Sequence, residues 1–181
     1  MNEQLKNIIE SLIFISVEPL SFEKIKNTLS EFSEEQIKKA IQDLRKNYKT
    51  SQKGIQIIQV GGGYLFSTKP QLDPWIRRLM QEEKKNKLSP AALETLSVVA
   101  YHQPTTLSEI SALRGTDSAH SIKTLLKKKM VKIVGRKKAP GKPLIYRTTD
   151  KFLVYFGLNS IKDLPSSEEL NQIIEEGKNE K

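Results

Sequence analysis

The feature that most limits how this chain can fold is a pair of helix patterns on either side of a proline, in residues 91–115. The first pattern ends before Pro104, because the residue preceding a proline is pushed out of the α region. Thr106, with Glu109 three residues later, is the signature of a capped helix start, and Gly115 can end a helix in a left-handed conformation. These residues predict two helices joined by a tight turn.

The residues after this pair predict a third helix and a hairpin. Residues 118–128 place apolar side chains at helical spacing, and two β-rich runs, 131–134 and 144–149, flank a basic loop rich in glycine and proline. Three helices followed by a hairpin is the order of a winged helix. The predicted core of this unit, including a last helix over 150–156, comprises Leu93, Leu96, Val99, Ala100, Ile110, Leu113, Ile122, Leu125, Leu126, Phe152, Leu153 and Phe156. Thr116 or Asp117 is expected to cap the third helix.

A fainter copy of the same order precedes it. Residues 3–16 form one helix pattern, and Ser21 and Ser33 can each cap a further helix. Two β-rich runs then flank the turn Gly61-Gly62-Gly63. The predicted fold class is α+β, mainly α, with two tandem winged-helix domains and an acidic C-terminal tail.

Composition divides the chain further. We expect an N-terminal winged helix at 1–80 that dimerises, a charged linker at 81–87, a basic winged helix at 88–160, and a partly disordered tail at 161–181. The net charge of +9 is uneven. Residues 88–160 hold 12 Lys or Arg against 4 Asp or Glu, a balance of +8, whereas the tail holds 3 against 6, a balance of −3.

The basic unit supplies the candidate contact residues. Its third helix and hairpin carry Lys123, Lys127, Lys128, Arg136, Lys137, Lys138, Lys142 and Arg147. These cations could neutralise phosphates, but the outward face of the helix offers no Arg, Asn or Gln for a bidentate base contact. The residues alone leave contact with DNA and contact with an acidic protein evenly balanced.

No pattern indicates catalysis, a cofactor or a metal. The chain has no Cys, and its histidines, His102 and His120, lie in different helix patterns without a carboxylate at ligand spacing. Gly61-Gly62-Gly63 precedes a strand pattern, so the helix N-terminus of a phosphate loop is missing. No apolar run approaches membrane-spanning length and residues 1–4 do not resemble a signal peptide, so a cytoplasmic location is expected.

Several separate motifs resemble the segregation and condensation protein B (ScpB) family. They are ALETL at 92–96, AYHQP at 100–104, EISALRG at 109–115, GRKKAPGKPLIYRTT at 135–149, FLVYFGL at 152–158 with Leu164-Pro165, and IIESLIFISVEPLS at 8–21. Together they reach over nearly the whole chain, up to about residue 170. Their common order and spacing make the resemblance specific to this family.

The resemblance implies a non-catalytic subunit of the bacterial SMC–kleisin complex, acting in chromosome condensation and segregation. It implies tandem winged helices, a homodimer formed mainly through the N-terminal domains, and binding to the kleisin ScpA, which joins the SMC ATPase. A nucleoid-associated location follows from that role. The alternative is a winged-helix DNA-binding transcriptional regulator.

The chain departs from the usual family pattern in charge. Arg147 stands after Tyr146, where family members usually have glycine, and Lys127-Lys128-Lys129 ends the third helix, where acidic residues are usual nearby. These differences keep weak, non-specific DNA contact open as an addition to the partner role.

Overall fold

The computed structural model describes residues 3–50, 52–80, 88–166, 168–170, 172 and 175. The protein is a mixed α/β molecule in which helices predominate. The charged linker predicted at 81–87 lies outside the described residues, as does most of the tail after residue 170.

The first half contains four helices and a three-stranded sheet. Its elements are α1 Glu3–Ile15, β1 Leu20–Ser21, α2 Phe22–Thr28, α3 Glu34–Thr50, β2 Ile55–Val60, β3 Gly63–Thr68, a 3₁₀ turn Pro70–Leu72 and α4 Asp73–Leu79. The strands are antiparallel in the order β1-β3-β2. Buried side chains of α1, α2 and α3 join Ile57 of β2 in one core cluster.

Side-chain caps define the starts of α2 and α3. Ser21 accepts a hydrogen bond from the backbone N–H of Lys24, and Ser33 exchanges hydrogen bonds with Gln36. Such caps satisfy backbone donors that the first helical turn leaves without partners. Both predicted helix starts are confirmed.

Gly63 allows the close approach of two backbone segments. A Cβ atom there would lie 2.8 Å from the backbone carbonyl carbon and oxygen of Leu20, on the strand paired with β3. Only glycine leaves room for β1 at this point, and the third strand of the sheet depends on it.

The second half repeats the order of the first. Its elements are α5 Pro90–His102, β4 Thr105–Thr106, α6 Leu107–Arg114, α7 Ala119–Lys127, β5 Val131–Arg136, β6 Leu144–Thr148, α8 Asp150–Phe156 and a 3₁₀ turn Ile161–Asp163. The strands are antiparallel in the order β4-β6-β5. The buried side chains of these helices and strands form a second core cluster, which includes Leu96, Ile110 and Leu125.

The helix boundaries predicted around the proline turn are confirmed. Thr106 and Glu109 form a reciprocal capping box, and Gly115 ends α6 at φ 69° in the left-handed region. Thr149 caps α8 by accepting from the N–H of Phe152. Each of these signals involves residues only a few positions apart, so it can be recognised in the sequence.

Three predicted core residues were wrong, and the predicted cap of the third helix is confirmed only in part. Leu93, Leu113 and Phe156 are exposed, because each lies at the edge of its helix's apolar face. The N-cap position of α7 is Ser118, which makes no side-chain cap, while Asp117 accepts from the N–H of Ala119. The two-residue strands β1 and β4 were not predicted, because runs so short carry no periodicity.

The two halves meet at the turn between β2 and β3. The N–H of Gly61 donates to the carbonyl oxygen of Leu158 at 2.9 Å, and the N–H of Gly62 donates to Oδ1 of Asn159 at 3.1 Å. A cleft lies beside these two contacts, lined by the glycine turn and by β5, β6 and α8.

Candidate functional site

The eight candidate cations occupy three places in the second half. Lys123 and Lys127 are exposed on α7, and Lys128 is half-buried just after its end. Arg136 ends β5, and the wing loop, which we define as residues 137–143, carries Lys137, Lys138 and Lys142. Arg147 lies on β6.

The α7 cations are directed outward by the packing of the helix. Ile122 and Leu125 are buried in the second core cluster, and Lys123 and Lys127 lie four residues apart on another face. Two ammonium groups one helical turn apart present a compact positive surface to solvent. Neither forms an ion pair with a residue that the structure describes.

Lys137 is engaged within the molecule. Its Nζ donates to Oε1 of Glu109, and Oε2 of Glu109 accepts from the backbone N–H of Thr106 at 2.8 Å and from its hydroxyl at 2.9 Å. The hydrogen bond from Lys137, with those from Thr106, lowers the pKa of the Glu109 carboxyl to about 2. One carboxylate thus caps α6 and tethers the wing loop.

The wing loop is folded against its own backbone. The Arg136 guanidinium donates to the carbonyl oxygen of Lys142 at 3.1 Å, and the N–H of Lys137 donates to that of Pro143 at 2.8 Å. Lys142 adopts φ 42°, a left-handed value that favours glycine. The exposed Lys138 side chain has no ion-pair partner among the described residues.

The structure adds a cation that the sequence-based set omitted. Lys132 lies directly across from Arg147 in the pairing of β5 with β6, and both are exposed. The exposure of β5 gave no alternating signal for this cation, since only Val131 is buried and the residues from Lys132 to Arg136 are all exposed. Arg147 therefore belongs with Lys132 on the sheet, apart from the cations of the wing loop.

A second candidate surface is apolar and lies on the first half. Phe14, Ile15 and Val17 are 74%, 76% and 94% exposed, although their neighbour Ile13 is buried. We call Phe14, Ile15 and Val17 the α1 strip. It continues into a shallow groove of about 760 Å³ that includes Ile8 and Leu12 as well as Phe14 and Ile15. Exposed apolar residues grouped in this way mark interaction surfaces.

The described residues offer no centre for metal chemistry and no membrane span. Among them, no three or more His, Asp or Glu side chains are grouped to hold a metal ion. His102 and His120 are both on the surface, on α5 and α7. No helix in the described part of the chain is long and apolar enough to cross a bilayer.

Comparisons with known proteins identify the family. The model for the segregation and condensation complex subunit ScpB matches residues 7–167. Segregation and condensation protein B of Carboxydothermus hydrogenoformans is 41% identical over 175 residues, covering 97% of this chain and 94% of that protein. The protein of the same name from Clostridium tetani is 41% identical over 170 residues, covering 94% and 89%.

Solved structures show a weaker likeness. A crystal structure of a dimer of the ScpB N-terminal domain complexed with an ScpA peptide is 33% identical, with a TM-score of 0.40. It covers 42% of this chain and 95% of that one. The family resemblance seen in the sequence motifs is confirmed by the family model and the curated relatives, and the chain belongs to the segregation and condensation complex subunit ScpB family.

Proposed function

We propose that this chain is a non-catalytic subunit of the bacterial SMC–kleisin complex, acting in chromosome condensation and segregation. The observation that carries the proposal is the family match over residues 7–167, which takes in nearly all of the described chain. The same match favours this role over that of a DNA-binding transcriptional regulator. A cytoplasmic, nucleoid-associated location is part of the proposal.

The proposed domain organisation is two tandem winged helices, at 1–80 and 88–160, joined by the linker 81–87 and followed by the tail 161–181. Its support is the repeated order of elements, the two separate three-stranded sheets and the two separate core clusters. In each half a hairpin follows three helices, an order that is compatible with a winged helix.

The proposed assembly is a homodimer formed by the first half, which binds the kleisin ScpA and through it SMC. The α1 strip supports self-association, because its three side chains expose apolar area that a second copy would remove from water. A charge-free apolar surface of this kind suits a stable interface better than contact with DNA.

The eight cations of the second half are proposed as contacts for acidic groups on a partner or on DNA. Lys137 is the least available of them, since Glu109 already neutralises it. Five of the eight are exposed and form no ion pair or side-chain hydrogen bond among the described residues, and they are more available: Lys123, Lys127, Lys138, Lys142 and Arg147. A lysine-rich set of this kind attracts polyanions without reading sequence.

Co-purification tests the proposed function. The full chain carrying an affinity tag should retain the kleisin ScpA of the same organism through gel filtration. A folded dimer that retains no kleisin, even at low salt, would contradict the proposal. DNA binding with a sequence preference that survives physiological salt would support the regulator instead.

A further inference from the structure

Two like charges face each other on the sheet of the second half. Lys132 of β5 and Arg147 of β6 are direct cross-strand partners, and both side chains are exposed. Directly opposed like charges destabilise a strand pair. Within the described residues, neither side chain forms an ion pair, a hydrogen bond or a cation–π contact. A bound anion would reduce the repulsion between these two cations.

The same two residues line the cleft between the halves, whose volume is about 580 Å³. Its opposite wall is the turn at Gly61 and Gly62, fixed by the hydrogen bonds to Leu158 and Asn159. Gln103, Thr148, Asn159 and Ser160 add polar groups to the lining. The cation pair therefore lies in a concave, polar setting.

The charges that face this cleft leave a positive balance. Asp150 is the one carboxylate among the cleft-lining residues, against the two cations Lys132 and Arg147. Asp150 lies in the first turn of α8, where the helix dipole favours a negative charge, and it makes no ion pair among the described residues. An incoming anion thus meets two cations whose charges are not neutralised by contact.

We propose that the Lys132–Arg147 pair binds the phosphate backbone of duplex DNA. Both side chains are exposed, and exposed cations hold a single small anion weakly but contribute additively to binding a polyanion. Arg147 can also bind a phosphate in a bidentate manner. The inference rests on the contact with acidic groups proposed above for the cations of this half and names its ligand, and it does not depend on the subunit role.

The test compares two double variants of the full chain that remove equal charge. Lys132→Ala/Arg147→Ala, the cleft variant, removes both cations of the pair. Lys24→Ala/Lys39→Ala, the control, removes two exposed lysines of the first half. Binding to a duplex of mixed sequence is followed by fluorescence anisotropy at several salt concentrations. Removing two phosphate contacts should lower the slope of log Kobs against log salt by about 1.8 in magnitude, at about 0.9 per phosphate. The control should leave the slope unchanged.

Each other outcome overturns the proposal. If the slope falls equally in both variants, net charge alone determines DNA binding. If the slope of the cleft variant does not fall, Lys132 and Arg147 do not contact phosphates. Saturable binding of inorganic phosphate that requires the pair, without a change in DNA slope, would assign the cleft to a small ligand. Thermal melting should show that the cleft variant is folded and at least as stable, since opposed charges are removed. Retention of kleisin by the cleft variant keeps this test separate from the proposed subunit role.

Discussion

The two halves of the molecule share an order of elements but differ in what they expose. The first half exposes the apolar α1 strip, whereas the second half exposes lysine and arginine on α7, the wing loop and β6. Each half has its own core cluster, and across the two clusters Ile and Leu side chains are the commonest. The difference therefore lies at the surface, and it teaches that one arrangement of elements can expose very different side-chain chemistry.

The largest expected effect tests whether the two cores are independent. Ile37→Ala in the first half and Leu125→Ala in the second each remove a fully buried side chain, and each should lower the free energy of unfolding of its own half by about 2–5 kcal/mol. Hydrogen exchange measured by mass spectrometry should show lost protection in the mutated half alone. Leu79→Ala, at an exposed position, is the control.

Loss of protection in both halves from a single core substitution would contradict this expectation. The contacts at Gly61 and Gly62 would then couple the halves into one unfolding unit.

The next effect tests the apolar surface. Ile15→Glu/Val17→Glu places two charges in the α1 strip, and burying them against a second copy would be costly. We expect the dissociation constant of the homodimer to rise by about tenfold or more, which corresponds to about 1.4 kcal/mol. Sedimentation equilibrium measures it. Leu79→Glu, which charges an exposed apolar position outside the strip, should leave self-association unchanged, and equal effects of the two variants would exclude the strip as the interface.

The smallest effect concerns the tether between Glu109 and the wing loop. The pKa of Glu109, about 2 in the folded protein, lies below the ordinary value of 4.5. A lowered folded pKa gives stability that is present above pH 4.5 and is lost as pH falls toward 2. Glu109→Gln should therefore lower the melting temperature at neutral pH. The difference in melting temperature between this variant and the unmodified chain should become smaller as the pH falls from 4.5 toward 2.

The lysines beside this tether offer a matched pair for the same measurement. Lys137→Met removes the partner of Glu109 and should lower the melting temperature at neutral pH, whereas Lys138→Met removes a lysine without an ion pair among the described residues and should not. Identical melting curves for Lys137→Met and the unmodified chain would show that the tether contributes nothing to stability.

Local features of the fold could be predicted from the sequence because their causes are local. The caps at Ser21, Thr106 and Thr149 each involve a backbone N–H three residues along the chain. Apolar spacing likewise placed Ile122 and Leu125 in the core. Edge positions such as Leu113 were misplaced, since helical spacing marks a face and the packing partner decides how wide that face is.

The candidate sites depended on long-range pairing that the sequence does not display. Lys137 and Glu109 are 28 residues apart, and Gly62 and Asn159 are 97 apart. The opposition of Lys132 and Arg147 depends on the register of β5 against β6, which includes an irregularity between Ile133 and Gly135. The sequence predicted a basic unit, but register and loop packing determine which of its cations are free.

The mass of the assembled complex tests the central claim most directly. Native mass spectrometry of the full chain mixed with the kleisin ScpA and SMC of the same organism should show a complex containing two copies of this chain. The chain alone should appear as a dimer. A chain that remains outside every kleisin-containing species at low salt, or that enters it as a single copy, would contradict the account.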